Sequence, residues 1–488
     1  MNGDTSEEKP VPDIMQDLDG EINLHWRRIV QLLAELIKVS SPNLNDQIIT
    51  HATSEDITQL RHWGSPGTPQ PLEKAIEEAR TIFDYRIRTN HPLFFGYVPS
   101  GTVQLSWLGD ILISAFNAHT GGRKAGLGAC VIEEEMIKWL TTKINMPKSA
   151  GGIFVSGGSV ANMMSIAVAR DQKLDRGEYD RGVIYISQRG HFCVSKMSRV
   201  LGFERSQIHE VRCNDAFYLD IHDLKGQLVA DRKKGLVPFM IVATCGYTET
   251  GAIDPIGLLA EIAHQEALWL HVDGSYGASV ALSHSHSHLA ADLGLADSVA
   301  WDAHKWLFSS YGCGMVLVRD KDHLASTFGV ESRLSVCHAG ESSRQLQPWD
   351  LGVELTRPAR AISLWFTLRV LGEERIGRMI DYGMHVAEEV QAQLQAREGW
   401  DILTNVKLGV VIFRNNPKTS PERDLDAINA EISETLLKNN HAGIFPVDVS
   451  GVKYLRMCCI TTRLHEEDIE RLVEEIDKTA KEVGRKLT

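Results

Sequence analysis

The side chains with the clearest potential for chemistry lie in short motifs, the first of which contains Lys305. It stands in the sequence Asp-Ala-His-Lys-Trp over residues 302–306. The apolar side chains around it are Trp301, Trp306, Leu307 and Phe308. An apolar setting lowers the pKa of a lysine and makes its neutral amine available for a Schiff base. The alternative is an ordinary lysine that extends its ammonium to solvent from a helix.

Asp273 lies in a second motif, at the end of an apolar run, where a buried carboxylate is costly unless it is paired. The motif reads His-Val-Asp-Gly-Ser-Tyr-Gly-Ala over residues 271–278. A functional Asp273 would hold a buried cation, such as a protonated ring nitrogen. The structural alternative is a helix N-cap, a position that aspartate commonly occupies.

A glycine-rich turn and a histidine complete the set. Residues 156–162 read Ser-Gly-Gly-Ser-Val-Ala-Asn after the apolar run 153–155. Its N–H groups could bind an anion at the start of the following helix, or the glycines could form a plain strand–helix turn. The motif matches neither the dinucleotide-binding nor the P-loop pattern. His191, within Gly-His-Phe-Cys-Val-Ser over 190–195, is by itself more typical of a core or capping residue.

The elements that must position these motifs alternate along the middle of the chain. Apolar runs of strand length are separated by longer helical stretches, and the runs cover residues 153–155, 183–186, 239–242 and 268–272. This alternation predicts an α/β fold with a mostly parallel sheet flanked by helices. Ligands of such sheets bind beyond the carboxyl ends of the strands, so the motifs could converge there.

The two ends of the chain differ from this pattern. The spacing of apolar residues over 19–37 and the composition of 71–85 predict helices. The elements predicted after Ala361 are a long helical stretch, strands at 409–413 and 453–459, and an amphipathic helix over 466–483. This last part therefore reads as a small α+β domain.

Composition excludes several classes of function. The 488 residues carry 51 Lys and Arg against 64 Asp and Glu, a net charge of −13, so nucleic acid and anionic membranes are not expected partners. No apolar run is long enough to span a bilayer, and the acidic start lacks a signal-peptide pattern, so a cytoplasmic protein is expected. The eight cysteines form no CxxC pair, and His284, His286 and His288 have no further ligand nearby in sequence. We therefore expect free thiols, a polar loop and no metal site.

The order of glycine-rich turn, histidine, aspartate and lysine resembles that of the fold-type-I pyridoxal-phosphate enzymes. It is most similar to the group II amino-acid decarboxylases, the family of the aromatic-amino-acid, glutamate and histidine decarboxylases. The match runs from about His91 to Ile476. Its anchors are the segments 91–101, 156–162, 243–255, 271–278 and 302–306.

The resemblance implies which residues bind pyridoxal 5′-phosphate. Lys305 would form a Schiff base with it, Asp273 would keep its ring nitrogen protonated, and His191 would stack on the ring. The further cofactor contacts would come from Gly157, Gly158, Ser159, Thr248, Ser275 and His304. The segment Arg357-Pro-Ala-Arg360 matches the start of a long helix and is expected to be structural.

The resemblance also implies how the chain is divided and assembled. The expected segments are a helical arm used in dimerisation (1–100), a large cofactor domain with a seven-stranded sheet (101–370) and a small C-terminal domain (371–488). Family members are usually homodimers with a shared active site, so a homodimer is expected here. Tyr97, Val98 and Pro99 would form an apolar wall of the substrate pocket, which favours an aromatic or bulky side chain over a dicarboxylic one.

One loop departs from the family pattern. Decarboxylating members carry a tyrosine there that protonates the Cα carbanion after CO2 leaves, whereas residues 329–346 contain no tyrosine. Leu334 or a neighbour takes its place, and a leucine cannot donate a proton. His338 is the titratable donor of suitable pKa in this loop, unless it is simply an exposed loop residue.

We therefore expect a decarboxylase of an L-amino acid that acts through the Lys305 Schiff base and a quinonoid intermediate. The alternative is an aldehyde synthase, in which dioxygen reacts with the carbanion to give an aldehyde, ammonia and peroxide. A lesser alternative is a protein that binds the cofactor without catalysis. The presence of Asp273, His191 and Lys305 together argues against that last possibility, because a sensor has little use for an electron sink.

Overall fold

The computed structural model describes residues 40–487 except 66, 100, 330–345, 418–420 and 422–423; before residue 40 it describes 26, 28, 30–32, 34, 35 and 37. The chain divides into two units, residues 1–92 and 93–488. The motifs that contain Gly158, His191, Asp273 and Lys305 all belong to the second unit.

The first unit contains helices where the sequence predicts them. Every described position from 26 to 37 is helical, whereas residues 19–25 of that predicted helix lie outside the described residues. Helix α1 (Ser54–Trp63) begins with a capping box, in which the Thr53 hydroxyl accepts from the Asp56 N–H and the Asp56 carboxylate accepts from the Thr53 N–H. Helix α2 (Leu72–Asp84) follows Pro71, in agreement with the predicted helix over 71–85.

A seven-stranded sheet forms the centre of the second unit. Its strands are β1 (Gly151–Val155), β2 (Gly182–Ser187), β3 (Ile208–Val211), β4 (Val237–Thr244), β5 (Trp269–Asp273), β6 (Ser298–Asp302) and β7 (Gly314–Val318). Their order across the sheet is β1-β7-β6-β5-β4-β2-β3. β7 is antiparallel to both neighbours, and the other neighbouring pairs are parallel. The prediction of a mostly parallel sheet is confirmed.

Helices cover both faces of this sheet, which explains why most positions of its strands are buried. The helices are α3 (Gln104–Phe116), α4 (Arg123–Lys143), α5 (Gly158–Lys173), α6 (Cys193–Val200), α7 (Ile221–Lys233), α8 (Ile256–Gln265) and α9 (Asp322–Phe328). All residues of β2, β5, β6 and β7 are buried. In β4, Ile241 belongs to one apolar cluster and its neighbours Met240 and Val242 belong to the other, as the two-residue period of a strand requires.

The C-terminal part of the second unit has α+β character. Helices α10 (Ala361–Leu371) and α11 (Glu373–Gln395) come first. They are followed by β8 (Trp400–Ile402), β9 (Val410–Asn415), α12 (Leu425–Lys438), β10 (Phe445–Val449), β11 (Val452–Cys458) and α13 (Glu466–Leu487). The four strands form an antiparallel sheet in the order β10-β11-β9-β8. The strands predicted at 409–413 and 453–459 correspond to β9 and β11.

Residues 93–100, which the sequence analysis assigned to the arm, belong to the second unit. The physical reason is backbone pairing with the C-terminal part. The Phe95 N–H donates to the Gly443 carbonyl (2.8 Å), and the Cys458 N–H donates to the Phe95 carbonyl (3.0 Å). The division of the remaining chain at residue 370 stays a prediction.

Two further expectations concern the chain as a whole. All seven described cysteines are free, and six of them are buried, which confirms the expectation of free thiols for these positions; Cys337 lies outside the described residues. None of the helices in the described ranges combines the length and apolar character that crossing a membrane requires.

Candidate active site

Six strands, β1 to β6, run in one direction, so their carboxyl ends meet at one edge of the large sheet. The loops beyond this edge border a cavity of about 540 Å³. Twelve of the predicted site residues line it: Tyr97, Val98, Pro99, Gly157, Gly158, Ser159, His191, Thr248, Asp273, Ser275, His304 and Lys305. The thirteenth, His338, lies outside the described residues. The motifs therefore converge as the strand pattern predicts.

The glycine-rich turn joins β1 directly to α5. Helix α5 begins at Gly158, and the first N–H groups of a helix have no intrahelical partner and carry the positive end of its dipole. A Cβ atom on Gly158 would lie 2.4 Å from Ser275 Oγ and 2.9 Å from Asp302 Oδ2. Only glycine allows the helix to start this close to the loops after β5 and β6, so the turn can serve as a cradle for an anion.

Lys305 lies three residues beyond β6, in a turn rather than in a helix. Its neighbours Trp306 and Leu307 are fully buried, as the sequence predicts. Its Nζ lies 3.3 Å from Oδ2 of Asp302, a carboxylate that is itself buried. The lysine side chain is 20% exposed and lines the cavity. The amine is thus held by a carboxylate at the cavity edge and does not extend to bulk solvent.

His304 is oriented by a backbone bond. Its Nδ1 donates to the Cys313 carbonyl (2.9 Å), and its Nε2 lies 3.6 Å from Asp302 Oδ2. A ring fixed in this way presents one edge to the cavity beside the glycine-rich turn, where a Cβ on Gly157 would come within 2.9 Å of His304 Cε1.

Asp273 is the last residue of β5 and is 7% exposed. Its Oδ1 accepts from the Ser275 N–H (3.1 Å), and its Oδ2 accepts from Nδ2 of Asn162 (3.1 Å). Burial by itself would raise the pKa of Asp273, but the charge of Lys305 and the hydrogen bonds from Ser275 outweigh burial and lower it. The carboxylate is therefore ionised at neutral pH and can hold a cation. The N-cap interpretation is wrong, because no helix begins at this residue.

His191 lies in the loop between β2 and α6. Its Nδ1 accepts from the Cys193 N–H (3.3 Å), and its ring lies 4.4 Å from that of Phe192. Partial burial lowers the pKa of His191; Asp273 opposes this shift and Lys305 adds to it. The imidazole is thus neutral near pH 7 and offers a flat, uncharged surface to the cavity.

Arg456 is a lining residue that the sequence analysis missed. It lies in β11, and its Nη1 donates to the Thr248 carbonyl (2.8 Å) while its Nη2 donates to the Gly96 carbonyl. The available signal was a single arginine inside a predicted apolar strand. Asp302 and Cys193 also line the cavity without having been singled out as site residues.

The histidine-rich loop, which contains His284, His286 and His288, does not line the cavity. His286 Nδ1 lies 3.3 Å from Oδ1 of Asp381, and the Asp381 carboxylate also accepts from the His284 N–H (3.0 Å). A carboxylate that is distant in sequence thus holds this loop. Among the residues that the structure describes, no cluster of three or more His, Cys, Asp or Glu side chains could bind a metal ion.

The side chains present fit pyridoxal 5′-phosphate. The cofactor requires a primary amine for its aldehyde, an anion for its ring nitrogen and N–H donors for its phosphate. Lys305, Asp273 and the start of α5 offer these three groups on one cavity. Within the described chain, Asp302 Oδ1 is buried without a hydrogen-bond partner, so the site retains unused polar capacity.

Comparison with known proteins agrees with this fit. The pyridoxal-dependent decarboxylase conserved domain matches residues 55–416. The aromatic-L-amino-acid decarboxylase of Bacillus atrophaeus is 35% identical over 409 residues, which cover 83% of this chain and 84% of that protein.

Solved structures agree on the fold. The Oryza sativa TDC with PLP and tryptamine superposes with a TM-score of 0.87 at 24% identity, covering 98% of this chain and 99% of that one. The Rhodiola rosea 4-hydroxyphenylacetaldehyde synthase superposes with a TM-score of 0.85 at 22% identity, covering 95% and 98%. The chain therefore belongs to the pyridoxal-dependent decarboxylase family and is a decarboxylating enzyme whose cofactor is pyridoxal 5′-phosphate.

Proposed function

We propose that this enzyme removes the α-carboxylate of an L-amino acid with an aromatic or bulky apolar side chain. The observation that carries the proposal is the convergence of Lys305, Asp273 and the start of α5 on one cavity. When bound, pyridoxal phosphate supplies an electron sink for the bonding pair left at Cα as CO2 departs. The 35% identity to an aromatic-L-amino-acid decarboxylase supports the class of side chain.

Different residues of the chain would bind and orient different parts of the cofactor. Lys305 provides the amine to which the cofactor aldehyde is attached, and Asp302, 3.3 Å away, holds that amine in the cavity. Asp273 is ionised and keeps a proton on the ring nitrogen. The N–H groups of Gly158 and Ser159 would hold the phosphate, and neutral His191 would provide a flat contact for the ring.

The cavity wall supports an apolar substrate side chain. Val98 is 5% exposed and Tyr97 is 42% exposed, and the Tyr97 ring lies 5.4 Å from that of Phe445. Among the described residues that line the cavity, the lysine is Lys305 and the arginine is Arg456. If Lys305 holds the cofactor and Arg456 attracts the α-carboxylate, a second carboxylate on the substrate would have no such cation to pair with. This arrangement disfavours dicarboxylic substrates.

The fate of Cα after CO2 leaves depends on a proton donor. Because residues 329–346 contain no tyrosine, the second candidate function is an aldehyde synthase. In that reaction the amino acid, dioxygen and water give an aldehyde, CO2, ammonia and hydrogen peroxide, with dioxygen as the oxidant. In the first candidate function His338 is the proposed donor, and the product is an amine.

A substrate panel in air tests both functions. The cofactor-loaded enzyme is incubated with L-phenylalanine, L-tyrosine, L-tryptophan, L-glutamate and L-aspartate, and amines, aldehydes and peroxide are measured separately. We expect turnover of the aromatic amino acids; turnover of the acidic ones alone would contradict the proposal. Amine without peroxide identifies the decarboxylase, whereas aldehyde with equimolar peroxide identifies the synthase. Bound cofactor without turnover of any amino acid would favour the non-catalytic alternative.

Two loop variants refine the assignment of the product. If aldehyde forms, Leu334→Tyr should divert product toward the amine because a phenol can donate a proton. If amine forms, His338→Phe should lower the amine yield and raise peroxide. An unchanged product ratio in His338→Phe would remove this histidine from the mechanism.

We further propose a homodimer with a shared active site, in the cytoplasm. Ile111 and Phe116 of α3 and Leu127 of α4 are 48%, 79% and 57% exposed, an amount of apolar surface that association would cover. The free thiols support a reducing compartment. Phe116→Glu should shift the molar mass in light scattering toward the monomer, whereas Val229→Glu, at a position that is 54% exposed on α7, should not. Cell fractionation tests the location.

A further inference from the structure

Behind Asp273, on the side away from the cavity, four polar side chains form a continuous buried chain. They are Trp269, Ser298, His271 and Asn162, and each is at most 2% exposed. The Trp269 Nε1 donates to Ser298 Oγ (2.8 Å), which lies 2.9 Å from Nδ1 of His271. Nε2 of His271 lies 2.7 Å from Oδ1 of Asn162, whose Nδ2 donates to Asp273 Oδ2. None of the four lines the cavity.

The fold explains why these side chains meet. Successive residues of a strand point to opposite faces, so Trp269, His271 and Asp273 share one face of β5. Ser298 is the partner of His271 in the register between β5 and β6. Asn162 lies in the second turn of α5, which packs on this face of the sheet.

The direction of the hydrogen bonds follows from the carboxylate at the end. Asp273 is ionised and can only accept, so the Asn162 amide must turn its Nδ2 toward Asp273 and its Oδ1 toward His271. His271 Nε2 then carries the hydrogen. Burial lowers the pKa of His271 to about 4, so the ring is neutral and its Nδ1, which also lies 3.2 Å from the Ser298 carbonyl, accepts from the nearer Ser298 hydroxyl. Each donor in the chain therefore points toward Asp273.

Burying this series of hydrogen-bonded side chains costs free energy, which favours a role beyond packing. A buried polar group without its partners destabilises the protein, and apolar side chains of similar size would fill the same space. The Asn162 amide also donates to Sγ of Cys193 (3.3 Å), which fixes the amide from a second side. The chain thus sets the rotation of the Asp273 carboxylate and supplies it with a donor on the oxygen that Ser275 does not reach.

We propose that His271 and Asn162 are positioning residues that hold the Asp273 carboxylate in the orientation that faces the cavity. This inference rests on the proposed function, in which Asp273 faces the ring nitrogen of the cofactor. Loss of the donor makes the carboxylate more basic, so that the shared proton moves from the ring nitrogen toward Asp273. The electron sink is weakened, although the cofactor remains bound.

The test uses the holoenzyme loaded with cofactor labelled with ¹⁵N in the ring. The ¹⁵N chemical shift reports whether that nitrogen is protonated, independently of turnover. In His271→Phe and Asn162→Ala we expect a shift toward the unprotonated position and about tenfold lower kcat, with KM changed less than about twofold. His271→Gln retains an N–H donor and should restore most of the native shift. His209→Phe is the matched control. His209 lies on β3, where its Nδ1 is 2.8 Å from Oδ2 of Asp231, and its loss should leave the ¹⁵N signal unchanged.

The variant Asp273→Asn tests the role of Asp273 separately from the roles of His271 and Asn162. If Asp273→Asn leaves the ¹⁵N shift unchanged, the proposed role of Asp273 itself fails. If Asp273→Asn moves the shift but His271→Phe and Asn162→Ala match the native enzyme, the positioning inference is overturned. An effect in His271→Gln as large as that in His271→Phe also overturns it, because the ring's packing and not its donor would then matter. Should His271→Phe fail to fold, Asn162→Ala and His271→Gln decide the outcome.

Discussion

Two sets of buried charges in the second unit are built in contrasting ways. Arg357 and Glu133 form a bidentate pair, with Nη1 to Oε2 at 2.9 Å and Nη2 to Oε1 at 2.6 Å, and Nη2 also donates to the Phe154 carbonyl. Their side chains are 1% and 7% exposed, and neither lines the cavity. Lys305 and Asp302 instead have a single contact at 3.3 Å, and the lysine is 20% exposed toward the cavity.

The difference teaches that burial alone does not mark a functional charge. In the Arg357 pair each charge is met by the other and by backbone groups, so the pair locks α4, β1 and the segment before α10 together. Arg357 Nε and Asp302 Oδ1 both lack a hydrogen-bond partner in the described chain, but of these two residues it is Asp302 that lines the cavity, beside an amine with a single contact. A ligand can use that remaining capacity. The expectation that Arg357 is structural agrees with this contrast.

The largest expected effect on the cavity side comes from Lys305→Ala. Turnover should fall by at least about 10³-fold, because among the described residues that line the cavity no other lysine could replace Lys305, and residual activity then rests on binding alone. The visible absorbance of covalently attached cofactor should vanish, while the far-UV circular dichroism and the thermal midpoint of the apoenzyme stay close to native. Retention of the absorbance band would show that the cofactor is attached elsewhere.

For Arg357→Met we expect a large loss of stability. Removing one partner of a buried pair leaves Glu133 uncompensated, so the free energy of unfolding in urea should fall by about 3 to 5 kcal/mol. Arg378→Met is the matched control: its pair with Glu374 is exposed, and its loss should cost less than about 1 kcal/mol. Equal destabilisation by both substitutions would remove the contrast between the two sets of charges.

The pH dependence of stability reports the buried histidine behind Asp273. The pKa of His271 is about 4 in the folded protein and 6.5 in the reference state, so the unfolded chain binds the extra proton between these values. Stability contributed by the neutral ring is present above pH 6.5 and is lost as the pH falls toward 4, by roughly 3 kcal/mol at most. His271→Gln should therefore flatten the dependence of unfolding free energy on pH in this range. The exposed His264→Gln should not, and a parallel slope in both variants would contradict the assignment.

The smallest expected effect concerns the cradle at α5. Gly158→Ala should weaken cofactor binding by roughly tenfold, because its Cβ would crowd Ser275 and Asp302. Titration of the apoenzyme measures the Kd directly. Gly128→Ala in α4, where a Cβ meets nothing within 4 Å, should leave the Kd unchanged. A native Kd in Gly158→Ala would mean that the phosphate binds away from this turn.

The sequence predicts the fold best where a strand is fully buried and is followed by a helix. β2, β4 and β5 are continuous apolar runs, and the structure contains them with small differences at their ends. β7 was not predicted because it returns from β6 without a helix, so the alternation of strand and helix does not reveal it. β3 is a partly exposed edge strand of four residues with only a weak apolar pattern.

The candidate site divides in the same way. Gly158, His191, Asp273 and Lys305 carry their signal in short motifs, because each follows a strand and strand ends meet in a parallel sheet. For Arg456 the local signal, an arginine inside a predicted strand, does not indicate the site; the packing of the second sheet against the rest of the unit brings it to Thr248. Likewise, the carboxylate that holds the histidine-rich loop is distant in sequence, and folding brings Asp381 to His286.

By itself the sequence indicated the reaction class, since a glycine-rich turn, a histidine, an aspartate and a lysine in this order carry the resemblance to the family in short local motifs. Only the tertiary structure decided how those groups are held. It placed Arg456 on the cavity wall and arranged His271 and Asn162 behind Asp273. These relations depend on strand register and helix packing between residues that are distant in the chain, and no local pattern encodes them.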